Sequence, residues 1–421
     1  MESIFAIVDI FFVSRLGSEA VATVGITESL ITLVYAIGGG LATATTALVA
    51  RRIGEKRPEE ASKVAFQAIM TGILVSLLIA IPGLLWSDDL LRLMGGSREM
   101  QENLSSYTRI MLGSNGIIIV LFIINSVLRS SGDAAMSLRV LWIANLCNIV
   151  LDPLLIFGIG PFPELGIAGA AIATATGRGI GILFQIFILF RGKRRIKLSM
   201  KDITFEPHTI WQLINLSLGG IGQSLIATTS WIGVVRIIAS FGSNIVAGYT
   251  IAIRIVVFAL LPCYGISNAA ATLVGQNLGA GQPERAERSV WLTGKVNIVV
   301  MGILTAILVL FPEPFIRLFI TDPAVILPGT QALRILSIGF VFYGLGMVLI
   351  QAFNGAGDTL TPTRVYFICF WLIEIPLAFL LAKPAGFNET GVFIAIVVAE
   401  SIMTVTSLVL FRKGKWKLRK V

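Results

Sequence analysis

Two aspartates lie where water should be scarce. Asp9 sits in "IFAIVDIFFVSRLG" (residues 4–17) and Asp152 in "NLCNIVLDPLLIFG" (residues 145–158). A charged side chain at the centre of a membrane helix costs at least about 2.5–3.5 kcal/mol on insertion scales, so each one needs a reason. Asn145, Asn148 and Asp152 follow the spacing i, i+3, i+7, which puts two amides and a carboxylate on one helix stripe. Pro153 withdraws a backbone donor and bends the helix beside them. Asn125 and Thr174 add polar groups to two further apolar runs of the same half. Two chemistries are open to such a set. Desolvation favours the neutral form of a carboxyl group, which makes a reversible proton carrier. Ionised carboxylates with amide oxygens can instead hold a sodium ion, because hard cations take oxygen ligands. Either couples the chain to an ion gradient; the plainer alternative is hydrogen bonding that holds a helix bundle together.

The elements that must position these groups are membrane helices. The chain of 421 residues is 55% hydrophobic and only 14% charged, with a mean hydropathy of +0.86. A soluble chain would carry roughly 25% charge. Apolar runs long enough to cross fall at about 20–50, 63–86, 107–128, 137–158, 165–190, 211–240, 245–275, 289–311, 329–353, 361–382 and 390–411. These eleven runs, with the short one around Asp9, predict an all-α polytopic protein, since backbone groups in lipid must be bonded internally. The net charge of +9 resides in short loops and reads as membrane topology, with no nucleic-acid partner. His208 is the single histidine, and Cys147, Cys263 and Cys369 lie in apolar runs at no metal-ligand spacing. "GAG" at 279–281 lacks the strand and the Lys-Ser/Thr sequel of a phosphate loop. No enzyme, resident cofactor or structural metal is expected.

Alternate loops differ sharply in basic residues: one set holds 22 Lys and Arg, the other five. By the positive-inside rule the rich set is cytoplasmic, so both termini are inside and the number of spans is even. Twelve spans follow, the first being the run that contains Asp9. Its missing cytoplasmic half is explained most simply by a truncated or misassigned start.

The chain also repeats itself. "LGSEAVA" at 16 returns as "FGSNIVA" at 241, "LVARRIGEKRPEEA" at 48 as "LVGQNLGAGQPERA" at 273, "GDAAMSLRV" at 132 as "GDTLTPTRV" at 357, and "ELG" at 164 as "ETG" at 389, each at an offset of 225. Four ordered matches at one shift mean internal duplication. The expected organisation is a six-helix lobe over 1–190, a basic cytoplasmic linker over 191–209, a second six-helix lobe over 210–411 and a basic tail over 412–421. Six is even, so both halves enter from the same side, as in transporters with parallel repeats.

Other polar groups within the spans are candidate cavity linings. Arg178 lies one turn after Thr174 on the same face and could be the counter-charge of an aspartate. Glu28 and Arg254 occupy adjacent equivalent positions on the second and eighth helices, which suggests an approach across the pseudo-two-fold. Gln223, Glu374 and Glu400 are the corresponding candidates of the second half.

These residues resemble the multidrug and toxic compound extrusion (MATE) family over nearly the whole chain. "VDIFFVSRLGSEAVA" is similar to its first-helix signature, "LRSSGD" and "FNGAGD" to its fourth- and tenth-helix ends, "LVGQNLGAGQPERA" to its eighth-helix end, and "LDPLLIFG" with "ELGIAGAAIAT" to its fifth and sixth helices. The resemblance implies a monomeric twelve-helix exporter in the cell membrane. Its two lobes would form a V-shaped cavity and expel amphipathic, usually cationic, organic compounds in exchange for H+ or Na+. In the DinF-like branch the coupling site lies in the first lobe; its residues correspond here to Asp9, Asp152, Asn148, Asn125 and Thr174. Phe5 stands where some relatives have Tyr. The NorM-like branch carries a second-lobe acidic pair, but the matching stretches here, "GQSLIATTSW" and "GFVFYGLGMVLIQ", hold no carboxylate. The nearest rival is a lipid-linked oligosaccharide or lipid flippase of related architecture.

Overall fold

The computed structural model describes residues 2–98, 100–191, 195–199 and 204–419, with side chains from residue 8 onward except that of residue 103. No strand occurs among the described residues. Among the described residues ten helices are long and apolar enough to cross a membrane, and Pro323–Ile338 with Phe340–Gly355, bent by 51°, bring the number to eleven when counted as one span. The helix around Asp9, α1 (Glu2–Val13), has 12 residues. Contacts divide the chain into two compact units, Met1–Ser217 and Leu218–Val421. That division falls inside the helix Pro207–Ala239, after the basic stretch, of which residues 192–194 and 200–203 lie outside the described residues.

In the first unit Gly17, at φ +114°, turns the chain from α1 into α2 (Ser18–Gly54). There follow α3 (Pro58–Leu85), the short α4 (Ser87–Leu93), α5 (Ser105–Gly113), α6 (Asn115–Ser130), α7 (Ala134–Phe157) and α8 (Ile167–Arg191). Helix α3 shows the logic of packing in lipid. Ala61, Ala65, Ala68, Thr71 and Gly72 are buried, while Leu74, Leu77, Leu78, Ile81 and Leu85 are exposed. Small side chains inside let backbones approach, and large ones outside meet acyl chains. Asp133 starts α7 by accepting a hydrogen bond from Met136 N at 3.3 Å. Helices α7 and α8 pack together, and α1 lies on α7 while touching α8.

The second unit continues α9 (Pro207–Ala239) with α10 (Ser243–Gly279), α11 (Pro283–Leu310), α12 (Pro312–Arg317), α13 (Pro323–Ile338), α14 (Phe340–Gly355), α15 (Leu360–Tyr366), a π-helical stretch Phe367–Glu374, α16 (Ile375–Ala382) and α17 (Asn388–Arg412). The elements preserve the 225-residue offset. Both α2 and α10 have 37 residues, both α3 and α11 have 28, and Gly17 and Gly242 share φ values of +114° and +116°. The interruptions at Ser114 and Gly339 are likewise equivalent. After α17 the chain folds back: Trp416 is buried with its ring 4.8 Å from Phe411, and its Nε1–H donates to Phe411 O at 3.0 Å. Lys417 pairs with Glu287 and Arg419 with Asp358.

The helical glycines divide in two. A Cβ on Gly38 would touch Ile119 and Phe122, and one on Gly219 or Gly222 would press on Thr359 or Thr363, so close packing accounts for those three. Gly39 and Gly265 have nothing within 4 Å, and packing does not explain them.

Candidate ion-coupling site

Three helices of the first unit converge on Asp9. The site draws Asp9 from α1, Asn148 and Asp152 from α7, and Thr174 from α8, all at most 2% exposed. Pro153 lies inside α7 directly after Asp152, where its missing N–H leaves the carbonyl one turn earlier without its usual partner. Thr174 Oγ1 donates to the Asp9 carboxyl, at 2.8 Å from Oδ2 and 3.0 Å from Oδ1. Asn148 Nδ2 sits 3.1 Å from Asp152 Oδ1, 3.2 Å from Thr174 Oγ1 and 3.3 Å from Asp9 Oδ1. The two carboxyl groups are near enough for their charges to act on each other.

A count of donors shows what this arrangement lacks. The amide of Asn148 has two hydrogens and the hydroxyl of Thr174 one, against four carboxyl oxygens and two further oxygens. Asp152 Oδ2 and Asn148 Oδ1 are buried with no hydrogen-bond partner among the described residues. Two like charges this close repel unless a proton or a cation lies between them. The site is therefore rich in acceptors and poor in donors, a composition that suits a small cation.

The remaining predicted residues fall elsewhere. Asn125 does not join the acids: its Oδ1 accepts from Ser137 Oγ at 2.7 Å and Gln185 Nε2 at 2.8 Å. Arg178 is buried, donates to Tyr35 Oη at 3.1 Å, and is near enough for its charge to act on Asp9. Phe5 is on α1, but its side chain lies outside the described residues. Glu28 is half-buried on α2 and Arg254 exposed on α10. Gln223 is buried. The residue is 7% exposed, and its amide exchanges hydrogen bonds with Asn354, both at 3.1 Å, while Nε2 also donates to Thr359 O. A buried amide so fully bonded is a tie between α9 and the end of α14.

The second unit holds a buried and a half-buried acid of its own. Glu374, 8% exposed at the end of the π-helical stretch, accepts from Ser230 Oγ of α9 at 3.1 Å. Glu400, on α17, has its Oε2 buried with no hydrogen-bond partner, and lies near enough to Glu374 for their charges to interact. Tyr249 and Tyr343 are buried around the pair. No described basic side chain forms an ion pair with either glutamate.

Sequence reasoning passed over Gln185, Ser137 and Ser230. A signal existed for the first: Gln185 follows Thr174 and Arg178 on one stripe of α8, at i+11 from Thr174.

The model of the MatE family matches residues 1–154 and 221–380, most of both halves. The chain belongs to the MatE family. Among similar MatE-type relatives, a probable multidrug resistance protein NorM of Thermotoga maritima is 26% identical, covering 100% of this chain and 90% of that protein. An FAD transporter of Shewanella oneidensis is 27% identical, covering 95% and 88%. Among solved structures, a crystal structure of MATE in the bent conformation superposes with a TM-score of 0.90 at 25% identity, covering 98% of this chain and 91% of that one. The outward-facing conformation of a multidrug resistance MATE family transporter also gives 0.90 at 25% identity, covering 100% and 93%. The MatE-family chain is thus a multi-pass membrane transporter and no enzyme.

Proposed function

We propose that the protein is a secondary active antiporter that exports amphipathic organic cations in exchange for H+ or Na+, with Asp9 and Asp152 as the coupling acids. The observation that carries this reading is the donor deficit at the buried Asp9, Asn148, Asp152 and Thr174 cluster. An arriving proton or cation satisfies the acceptors that Thr174 and Asn148 leave without donors. Thr174 and Asn148 hold the two carboxyl groups together and tie α1 to α7 and α8, so filling or emptying the site alters those ties and releases or fixes α1. That motion is the link to cargo. In the same reading both termini are cytoplasmic, residues 191–209 are the linker between lobes, and the protein works as a monomer among membrane lipids.

Proteoliposomes loaded with tetraphenylphosphonium and given either a pH or a Na+ gradient alone test the coupling. One gradient should drive efflux. Asp9→Asn and Asp152→Asn should each abolish it while the protein still elutes as a monodisperse species. Full efflux by both variants would reject the site.

The choice of a cationic cargo rests on Glu374 and Glu400, one buried and one half-buried acid with no ion-paired base among the described residues, and on the nearby aromatic rings of Tyr249 and Tyr343. Glu374→Gln combined with Glu400→Gln should weaken equilibrium binding of tetraphenylphosphonium at least about tenfold, equivalent to ~1.4 kcal/mol. The name of the Shewanella relative makes FAD, an anionic dinucleotide, the informative competitor. Displacement of the organic cation by FAD, with both glutamates dispensable, would point to a different cargo.

A further inference from the structure

Below the acids the first unit contains polar side chains that the coupling site does not use. On α7, Ser137, Asn145, Asn148 and Asp152 share one stripe. On α8, Thr174, Arg178 and Gln185 share another, and its two ends face inward: Thr174 bonds to Asp9, and Gln185 bonds to Asn125 of α6. Asn125 in turn accepts from Ser137, in the first turn of α7, so α6, α7 and α8 meet in a second polar cluster. From Asp152 to Ser137 the helical rise is about 22 Å.

This track would be costly if its only role were to hold helices together. Gln185 and Asn145 are at most 1% exposed. Each donates through its amide nitrogen, Gln185 to Asn125 Oδ1 at 2.8 Å and Asn145 to Leu141 O at 2.7 Å. Yet Gln185 Oε1 and Asn145 Oδ1 accept nothing from the described residues. A helix interface needing only adhesion is served by satisfied amides or by apolar side chains, whereas buried carbonyl oxygens without donors cost energy. Those two oxygens repeat, at successive levels, the acceptor excess of the acids. The one positive group on the α8 stripe, Arg178, is directed to Tyr35 on α2 and toward Asp9, leaving the α7 side of the track uncharged between Asp152 and Asp133 at its far end.

We infer that Asn145, Gln185, Asn125 and Ser137 continue the path of the coupling ion from Asp9 and Asp152 to the end of the first unit that carries the 129–134 loop. The inference rests on the antiport reading above. The ion, a hydrated proton or Na+, is passed along side-chain oxygens that lack protein donors, and the loop end is the side on which it leaves. The close approach of Gly177 to Ala144 and Asn148 keeps this path narrow.

The test separates binding from passage. In detergent, where both sides of the protein are open, ions released per molecule on adding tetraphenylphosphonium report the acids alone. In proteoliposomes, exchange rate reports the whole path. Gln185→Met with Asn145→Leu should leave release unchanged and slow exchange at least tenfold. Wild-type exchange rates in that double variant would overturn the path, and so would an equal loss of both readouts, which would mean that these residues merely support the acids. Normal exchange in Asp9→Asn and Asp152→Asn is a different result, and removes the antiport reading instead. If the double variant does not yield monodisperse protein, Gln185→Cys in a chain with Cys147, Cys263 and Cys369 changed to Ala takes its place. A small cationic thiol reagent should modify position 185 at least tenfold faster than an Ala173→Cys control, which is equally buried on another face of α8. Equal rates would overturn the path.

Discussion

At the scale of single residues, the proposed coupling site is held by very few hydrogens. Thr174 contributes one, shared between both oxygens of Asp9. Thr174→Val keeps the shape and removes that hydrogen, and a hydrogen bond to a charged group is worth about 1.5–3 kcal/mol. That hydrogen competes with the arriving cation for the Asp9 oxygens, so ion affinity in a gradient-driven efflux assay should rise at least about tenfold; unchanged affinity would mean that Asn148 alone positions Asp9. Asp9, Asp152, Asn148 and Thr174 were legible in the sequence because the cost of dehydrating a carboxylate is visible without coordinates. The partners of Asn125 were not, because which amide meets which hydroxyl depends on how three helices are rotated about their axes. The partner of Gln223 was hidden for the same reason: composition marks a polar residue in a span, and only the structure shows that it bonds to Asn354.

At the scale of elements, glycine spacing on α8 sets how near α7 can come. A Cβ on Gly177 would sit 2.8 Å from Ala144 O and 3.2 Å from Asn148 N, whereas Gly179 has nothing within 4 Å. Gly177→Ala should push the helices apart beside Asn148, costing about 1–3 kcal/mol as overpacked cores do, and should impair coupling. Gly179→Ala should be neutral or stabilising by up to about 1 kcal/mol, since alanine loses less entropy in a helix. Melting in detergent and gradient-driven efflux check both; a harmless Gly177→Ala would show that the contact can relax. The existence of the spans was readable from run length, and their interruptions were not. Ser114 ends α5 without a proline, and the π-helical stretch before Glu374 leaves hydropathy unchanged, because both are decided by packing against neighbouring helices.

At the scale of the whole molecule, duplication and charge asymmetry carry the organisation. The 225-residue offset appears in the sequence as four matching segments and in the structure as paired helix lengths, because two copies of one motif face the same lipid and solve the same packing problem. The loop charges predict the topology. Cysteines at positions 56 and 415, in an otherwise cysteine-free chain in intact cells, should both resist a membrane-impermeant maleimide, and one at position 93 should react. Labelling of only one of the first two would make the number of crossings odd. The folded-back Trp416 bears on how the protein is handled. It plugs the base of α17, with Lys417 and Arg419 latched to Glu287 and Asp358 on either side. A fluorescent reporter or affinity handle spliced directly onto Arg412 would draw that plug, whereas one appended beyond Arg419 leaves it seated.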